Sequence, residues 1–141
     1  MTYADTSVFV SFYLPEARTA EVQKRVAEKS GLWATPLHRA EWAHAVAQHV
    51  FLKFISLREA GEVSEAFASD CQMGVWSLTD LPETAFEVCT MLARRYGARL
   101  PIRTLDSLHV AAALELGADR FWTYDLRQAK LARAAGLDAA G

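Results

Sequence analysis

Short apolar runs alternate with longer amphipathic stretches along the whole chain, and glycine, proline or polar residues separate them. A short apolar run between turn residues indicates a strand, whereas apolar residues at steps of three and four indicate a helix. This pattern predicts strands at residues 2–4, 32–35, 74–78 and 121–124. A fifth strand begins at Gly136-Leu137, but we expect the chain to end before this strand develops.

Helical periodicity fills most of the segments between these strands. The predicted helices cover residues 18–29, 36–59, 62–73, 82–96, 104–116 and 125–134. Alternating strands and helices are typical of an α/β fold with a central, mostly parallel sheet, here of four or five short strands. A chain of 141 residues without repeats or linker-like stretches indicates a single domain, residues 1–141.

Two of the predicted helices carry specific signals at their ends and on their buried faces. The helix from residue 36 begins at Thr35-Pro36, an N-cap followed by proline in the first turn. Its apolar stripe consists of Trp42, Val46, Val50, Phe54 and Leu57. In the helix at residues 82–96, Gly97 is the predicted C-cap. The residues predicted to face the core there are Phe86, Leu92 and Ala93.

Composition and charge exclude several classes of protein. Hydrophobic residues make up 52% and charged residues 23%, which is typical of a globular chain rather than a disordered one. The formal net charge of −2 gives no support for nucleic-acid binding, although a local basic face is still compatible with it. Cys71 and Cys89 lack zinc-site spacing, so we expect two buried free thiols in a reducing compartment. No signal peptide or membrane-spanning apolar run is recognisable, so a cytoplasmic protein is expected.

Four acidic residues lie where predicted strands end or helices begin. Asp5 and Asp125 each follow a strand directly. Asp106 lies in the first turn of the helix that Thr104 is predicted to cap, and Glu41 lies in the second turn of the helix after the second strand. Because functional groups of open α/β sheets gather beyond the carboxyl ends of the strands, we expect all four at one edge.

Each of these acids also has a local structural explanation. Asp125 suits a helix N-cap with Gln128 completing a capping box, and Asp106 suits the positive end of a helix dipole. Asp5 suits an Asx-turn, and Glu41 suits a solvated helix face. Jointly, however, convergent carboxylates repel one another, and a hard divalent cation removes that cost. Mg²⁺ or Mn²⁺ held by carboxylates cuts phosphodiester bonds, so the acids are expected to be metal ligands rather than general bases.

Four segments in chain order carry recognisable motifs. They are Tyr3-Ala4-Asp5-Thr6-Ser7, Arg39-Ala40-Glu41-Trp42, Leu105-Asp106-Ser107-Leu108-His109 with its continuation to Ala113, and Thr123-Tyr124-Asp125-Leu126-Arg127 preceded by Gly117-Ala118-Asp119. The third and fourth together are the most specific. Over nearly the whole chain, these segments resemble the motifs of the PIN-domain nucleases, especially the VapC-like toxins.

The resemblance implies a PIN-like α/β/α sandwich and a Mg²⁺-dependent endoribonuclease, with Mn²⁺ as the alternative ion. It implies that the catalytic, metal-binding quartet is Asp5, Glu41, Asp106 and Asp125, and that Thr123 and Ser7 support it by hydrogen bonds. It also implies an RNA substrate, a homodimer, and a cognate antitoxin that inserts a segment into the active-site groove. The chain departs from the family in its short end after Gly136, which leaves the last edge of the sheet open.

Other residues near the motifs have more than one interpretation. His109 lies one turn after Asp106, where it contacts substrate phosphate, orients the acid or simply packs. His38, Glu41 and His44 have the spacing of half a di-iron site, but that architecture needs a second half-site in a helical bundle. Seven basic residues either contact the backbone of an RNA substrate or only form solvated surfaces. They are Arg94, Arg95, Arg99, Arg103, Arg127, Lys130 and Arg133.

Two other functions stay open at this point. A non-catalytic PIN-like module that binds RNA or protein would have lost its metal, and the intact set of acids counts against it. An aspartyl-phosphate phosphatase would use Asp5 as its nucleophile and a second acid two residues later, where this chain has Ser7.

Overall fold

A computed structural model of the chain describes residues 1–29 and 31–140. Strands and helices alternate through this part of the chain. The strands are β1 (Thr2–Ala4), β2 (Trp33–Ala34), β3 (Ser77–Leu78), β4 (Arg120–Trp122) and β5 (Asp138–Ala140). The helices are α1 (Thr6–Tyr13), α2 (Thr19–Glu28), α3 (Pro36–Phe51), α4 (Leu57–Gln72), α5 (Thr84–Tyr96), α6 (Thr104–Glu115) and α7 (Leu126–Ala134).

All strand pairs of the described residues are parallel, which confirms the predicted α/β fold. Hydrogen bonding divides the strands into a three-stranded sheet of order β1-β4-β5 and a two-stranded sheet, β2-β3. In the larger sheet, Ala4 is aligned with Trp122 and Trp122 with Ala140. The expectation that the fifth strand would not develop was wrong, because β5 pairs with β4 over residues 138–140. Residue 141 lies outside the described residues.

The chain divides into two compact units. One consists of Met1–Asp5 and the chain from Asp80 onward, and the other of Thr6–Thr79. The first therefore contains β1, β4, β5 and α5–α7, and the second contains α1–α4 with β2 and β3. That residues 1–141 fold as a single domain stays a prediction. Within residues 1–29 and 31–140, no helix has both the length and the apolar character needed to cross a membrane.

The first unit is organised around α6. Every residue from Ser107 to Ala113 is buried on this helix, which packs against α5 and α7. The three consecutive alanines 111–113 allow this close approach of neighbouring backbones. On the sheet, Tyr3 stacks on Phe121 with ring centroids 5.7 Å apart. The buried run holds the middle of α6 in place, and Asp106 directly precedes this run.

The second unit has an aromatic core. Phe9 and Tyr13 of α1 meet Trp42 of α3, Phe67 of α4 and Trp76, mostly edge to face. Trp42 and Phe67 stack with centroids 4.6 Å apart. Such pairs contribute about 0.5–1.5 kcal/mol each beyond the burial of their area. The sequence pattern did not predict α1, because its valines and aromatic residues favour a strand locally.

Two helices were predicted over residues 36–59 and 62–73, and two are present, but the break between them lies at residues 52–56 rather than at 60–61. α3 ends at Phe51, Lys53 adopts a positive φ of 62°, and α4 begins at Leu57. A reciprocal capping box restarts the chain, in which the Ser56 hydroxyl accepts from the Glu59 amide and the Glu59 carboxylate accepts from the Ser56 amide, both at 3.1 Å. Hydrogen bonding to the Ser56 amide, and next to the Ser56 side chain, lowers the pKa of the Glu59 carboxyl.

The buried faces of the helices were predicted in part. Trp42 and Val46 of α3 are buried as expected, whereas Phe54 and Leu57 are 69% and 80% exposed because the stripe ends with α3. On α5 Leu92 is buried and Gly97 is the C-cap, as predicted. Phe86 and Ala93 are exposed, because the buried stripe of α5 instead consists of Ala85, Cys89 and Leu92. Cys71 and Cys89 are buried free thiols, as expected.

Candidate active site

Asp5 leaves the sheet at the carboxyl end of β1. Its amide donates to the Trp122 carbonyl at 3.1 Å, which continues the β1–β4 ladder by one bond beyond the strand. Asp5 is therefore placed beside Thr123, the residue that follows β4. The Asp5 side chain is half-buried, and Thr123 is buried. This is the edge at which the sequence pattern predicted functional groups.

Asp125 is the N-cap of α7, as predicted. Its Oδ1 accepts from the amides of Arg127 at 2.8 Å and Gln128 at 3.3 Å. The reciprocal half of the predicted capping box does not form. The amide of Asp125 donates to the Thr123 hydroxyl at 3.0 Å instead, and the Gln128 side chain turns away from it. A hydroxyl two residues earlier thus replaces the glutamine as the partner of the cap.

Asp106 lies in the first turn of α6, as predicted, and its backbone is tied to α7. The Gln128 Nε2 donates to the Asp106 carbonyl at 3.2 Å, and the Thr123 hydroxyl donates to Gln128 Oε1 at 2.7 Å. The N-cap of α6 is Arg103 rather than the predicted Thr104, and it makes no side-chain cap bond. These bonds bring the segments that carry Asp5, Asp106 and Asp125 to one edge of the first unit.

Glu41 belongs to the second unit, where Thr6 holds it. The Thr6 hydroxyl donates to Glu41 Oε1 at 2.7 Å, and Thr6 is buried while Glu41 is half-buried. Thr6 is the residue next to Asp5 in the chain. The first motif suggested Ser7 as the supporting hydroxyl, but Ser7 is exposed. Thr6 was not predicted as a site residue, although it stands between Asp5 and Ser7, which were.

The histidines near the motifs are structural. His109 is 2% exposed, and its Nδ1 bonds to the Tyr3 hydroxyl at 2.8 Å, which favours the packed interpretation over direct contact with substrate. His38 is fully buried and completes a capping box with Thr35. His44 is exposed and bonds to the Ala40 carbonyl in its own helix. These contacts leave no support for the di-iron half-site.

The chemistry of the four acids suits a hard cation. All are carboxylates, and Mg²⁺ and Mn²⁺ prefer oxygen ligands, whereas zinc sites use thiolate or imidazole. In the described part of the chain, no three His, Cys, Asp or Glu side chains lie close enough to form a ready-made metal cage. Mg²⁺ commonly takes only one or two protein carboxylates and completes its shell with water and substrate phosphates. Carboxylates of this kind are therefore donors that suit such an ion.

One basic side chain lies beside an acid of the first unit. Arg127 Nε lies 3.7 Å from Asp125 Oδ1, and the Arg127 side chain is half exposed. The other basic residues singled out from the sequence are also exposed: Arg94, Arg95, Arg99, Arg103, Lys130 and Arg133. Arg133 uses its guanidinium within the unit, since it donates twice to the Ala139 carbonyl of β5, at 2.9 and 3.2 Å.

The chain belongs to the PIN domain family, whose model matches residues 2–134 and so spans both units. No curated protein sequence matches the chain.

The fold is similar to that of FitAcB from Neisseria gonorrhoeae, with a TM-score of 0.75, 15% identity, and coverage of 100% of this chain and 97% of the other. It is also similar to the sarcin–ricin loop cleaving toxin VapC20 of Mycobacterium tuberculosis, with a TM-score of 0.69, 15% identity and coverage of 97% and 96%. A third similar structure is VapBC2 from Rickettsia felis bound to a promoter DNA fragment, with a TM-score of 0.71, 15% identity and coverage of 99% and 98%. These likenesses establish the PIN fold that the sequence motifs predicted.

Proposed function

We propose that the chain is a Mg²⁺- or Mn²⁺-dependent endoribonuclease that acts as the toxin of a toxin–antitoxin pair. Membership of the PIN family and the likeness to VapC and Fit structures support a nuclease toxin. The observation that carries the proposal is the set of hydrogen bonds that anchors the segments of Asp5, Asp106 and Asp125 at one sheet edge. A fourth carboxylate, Glu41, is fixed by Thr6, the neighbour of Asp5 in the chain.

In this proposal each residue of the site has a defined task. The catalytic and metal-binding residues are Asp5, Glu41, Asp106 and Asp125. When bound, the ion would supply positive charge at the scissile phosphate and polarise the attacking water. Thr123 supports the site through the Asp125 amide, and His109 supports it through Tyr3, two residues before Asp5. Ser7 stays a proposed supporting residue at the exposed side of the first motif.

An RNA substrate would be held largely through its phosphates. The exposed arginines and lysine of the first unit supply the charge for such contacts, despite the net charge of −2 for the whole chain. Contacts of this kind release counterions, so binding should weaken steeply with added salt. We expect a protein that acts on such a substrate to be located in the cytoplasm.

We also propose an antitoxin partner that occupies the active-site groove, and a homodimer. Support for the antitoxin comes from similar structures described as toxin–antitoxin assemblies, including one from Klebsiella pneumoniae with a TM-score of 0.66 and 10% identity. Co-expression with the product of an adjoining gene should relieve growth arrest if that product is the antitoxin. Light scattering should give twice the chain mass of 15.6 kDa for a homodimer.

The nuclease proposal is tested by incubating the purified chain with total and structured RNA, with Mg²⁺, with Mn²⁺ and with chelator. Asp106→Asn should abolish cleavage and preserve the circular dichroism spectrum, because it removes a charged ligand without changing shape. Asp80→Asn makes the same change at an exposed position of the same unit and should cleave like the wild type. Cleavage that persists in Asp106→Asn or in chelator would contradict the proposal.

Metal binding can be measured without any RNA. An ion that binds only the folded chain stabilises it by RT ln(1 + [ion]/Kd), about 2.7 kcal/mol at an ion concentration of 100 Kd. We therefore expect the melting temperature to rise with millimolar Mn²⁺ in the wild type and in Asp80→Asn, and to rise less in Asp106→Asn. An unchanged melting temperature in the wild type would count against a preformed site.

A further inference from the structure

Gln128 is a buried polar residue of α7 that the cap alone does not explain. Its side chain is 2% exposed and lies one turn after Asp125. Both ends of its amide are used, since Oε1 accepts from the Thr123 hydroxyl at 2.7 Å and Nε2 donates to the Asp106 carbonyl at 3.2 Å. Burying an amide is costly unless it is hydrogen-bonded. This side chain satisfies that requirement through two residues at the candidate site.

The chemistry of the groups fixes the direction of each of these hydrogen bonds. The Asp125 amide can only donate, so the Thr123 hydroxyl accepts from it and keeps its own proton for Gln128 Oε1. The Asp106 carbonyl can only accept, so the NH₂ group of Gln128 must face it. The series starts at a group that can only donate and ends at a group that can only accept, so the direction of every hydrogen bond in it is fixed. With these fixed directions, the series joins the cap of α7 to the first turn of α6.

We propose that Gln128 is a positioning residue, which together with Thr123 holds the Asp106 turn of α6 in register with the Asp125 cap of α7. The inference rests on the proposed function, in that these two acids are the groups to be positioned for a divalent cation. Methionine at this position would fill nearly the same volume and make neither bond.

The test compares variants that break the series with variants that leave it intact. Gln128→Met and Thr123→Val break it, and Thr123→Ser keeps the hydroxyl. Leu131→Val is the matched control, because Leu131 is fully buried on the same helix and takes no part in the series. Loss of a partner that orients a metal ligand typically costs about 10- to 100-fold in metal affinity. By calorimetry we expect that loss of Mn²⁺ affinity in the two breaking variants, and less than about a twofold change in Thr123→Ser and Leu131→Val.

A second measurement needs no metal. The regular helical donor to the Asp106 carbonyl is the Val110 amide, so hydrogen exchange there reports on the turn that Gln128 holds. In the metal-free chain, exchange at Val110 should be at least about tenfold faster in Gln128→Met than in Leu131→Val at matched global stability. Equal exchange and equal Mn²⁺ affinity in these two variants would overturn the inference. If the wild type binds no Mn²⁺, the proposed function fails, and exchange at Val110 alone decides whether Gln128 positions the turn.

Discussion

Removing the hydroxyl of Tyr13 should destabilise the second unit by a predictable amount. The phenol donates to the Asp70 carboxylate of α4 and accepts from Trp76 Nε1 at 2.7 Å. Tyr13→Phe deletes one oxygen and leaves the ring contacts with Trp42 and Phe67 in place. The substitution loses a hydrogen bond to a charged group and strands the indole N–H of Trp76, which is nearly fully buried. Because Tyr13 and Asp70 are only half-buried, we discount both effects and expect a loss of about 2–3 kcal/mol.

The assay is urea unfolding at pH 7, followed by tryptophan fluorescence and by circular dichroism. A loss of this size should lower Tm by roughly 6–12 °C in a chain of this length. Tyr96→Phe is the control, because the Tyr96 hydroxyl makes an exposed bond, to the Ala134 carbonyl at 2.9 Å. We expect the control to cost under about 1 kcal/mol.

The same substitution has a pH signature with a defined sign. Burial and the hydrogen bond to Asp70 raise the pKa of Tyr13 above its ordinary value of 10. The unfolded chain releases the phenolic proton near pH 10, whereas the folded chain retains it. Stability from this group is therefore complete below pH 10 and declines above it, by at most about 1.4 kcal/mol per pH unit. The stability difference between wild type and Tyr13→Phe should narrow between pH 10 and 11. A difference below about 0.5 kcal/mol at pH 7, or one independent of pH, would refute the reasoning.

Three further changes test other contacts. Thr6→Val should lower Mn²⁺ affinity about tenfold by releasing Glu41, whereas Thr6→Ser should retain it, and equal affinities by calorimetry would contradict this role. Burial raises the pKa of the Cys71 and Cys89 thiols, so at pH 8 both should react with a disulfide reagent at least about tenfold more slowly in the native chain than in urea. Gly136 has a positive φ of 96°, so Gly136→Ala should cost about 1 kcal/mol in urea unfolding, and a neutral result would mean that the turn adapts.

Features of the site that depend on neighbouring residues were readable from the sequence. Asp125 follows an apolar strand and precedes a helix, so its cap role is fixed by the residues on either side. Asp5 at the end of β1 is predictable for the same reason. The capping box at Ser56 and Glu59 was equally local, yet the continuous apolar spacing across it concealed the break between α3 and α4. Hydrophobic periodicity indicates which residues share a helix face. It does not reveal a turn between two helices when the apolar residues keep the same spacing across that turn.

Contacts between distant segments could not be read in this way. Gln128 bonds to the carbonyl of a residue 22 positions away, and Thr6 bonds to an acid 35 positions away. The local sequence pattern suggests one partner for Gln128, the capping residue three positions earlier. In the folded chain, its side chain bonds to the Thr123 hydroxyl and the Asp106 carbonyl instead. The helix α1 was missed for a related reason, because packing of its aromatic residues overrides their local preference for a strand.

The adjacency of Asp5 and Thr6 has a genetic consequence. One of these residues supplies a carboxylate itself, and the other secures a second carboxylate on Glu41. Because the two residues are consecutive, an insertion or deletion there changes the position of both side chains. In the proposed site, the gain or loss of one codon at this point would therefore disable two of the four acids at once. In a random screen for loss-of-function alleles, this pair of codons should be hit more often than its share of the gene.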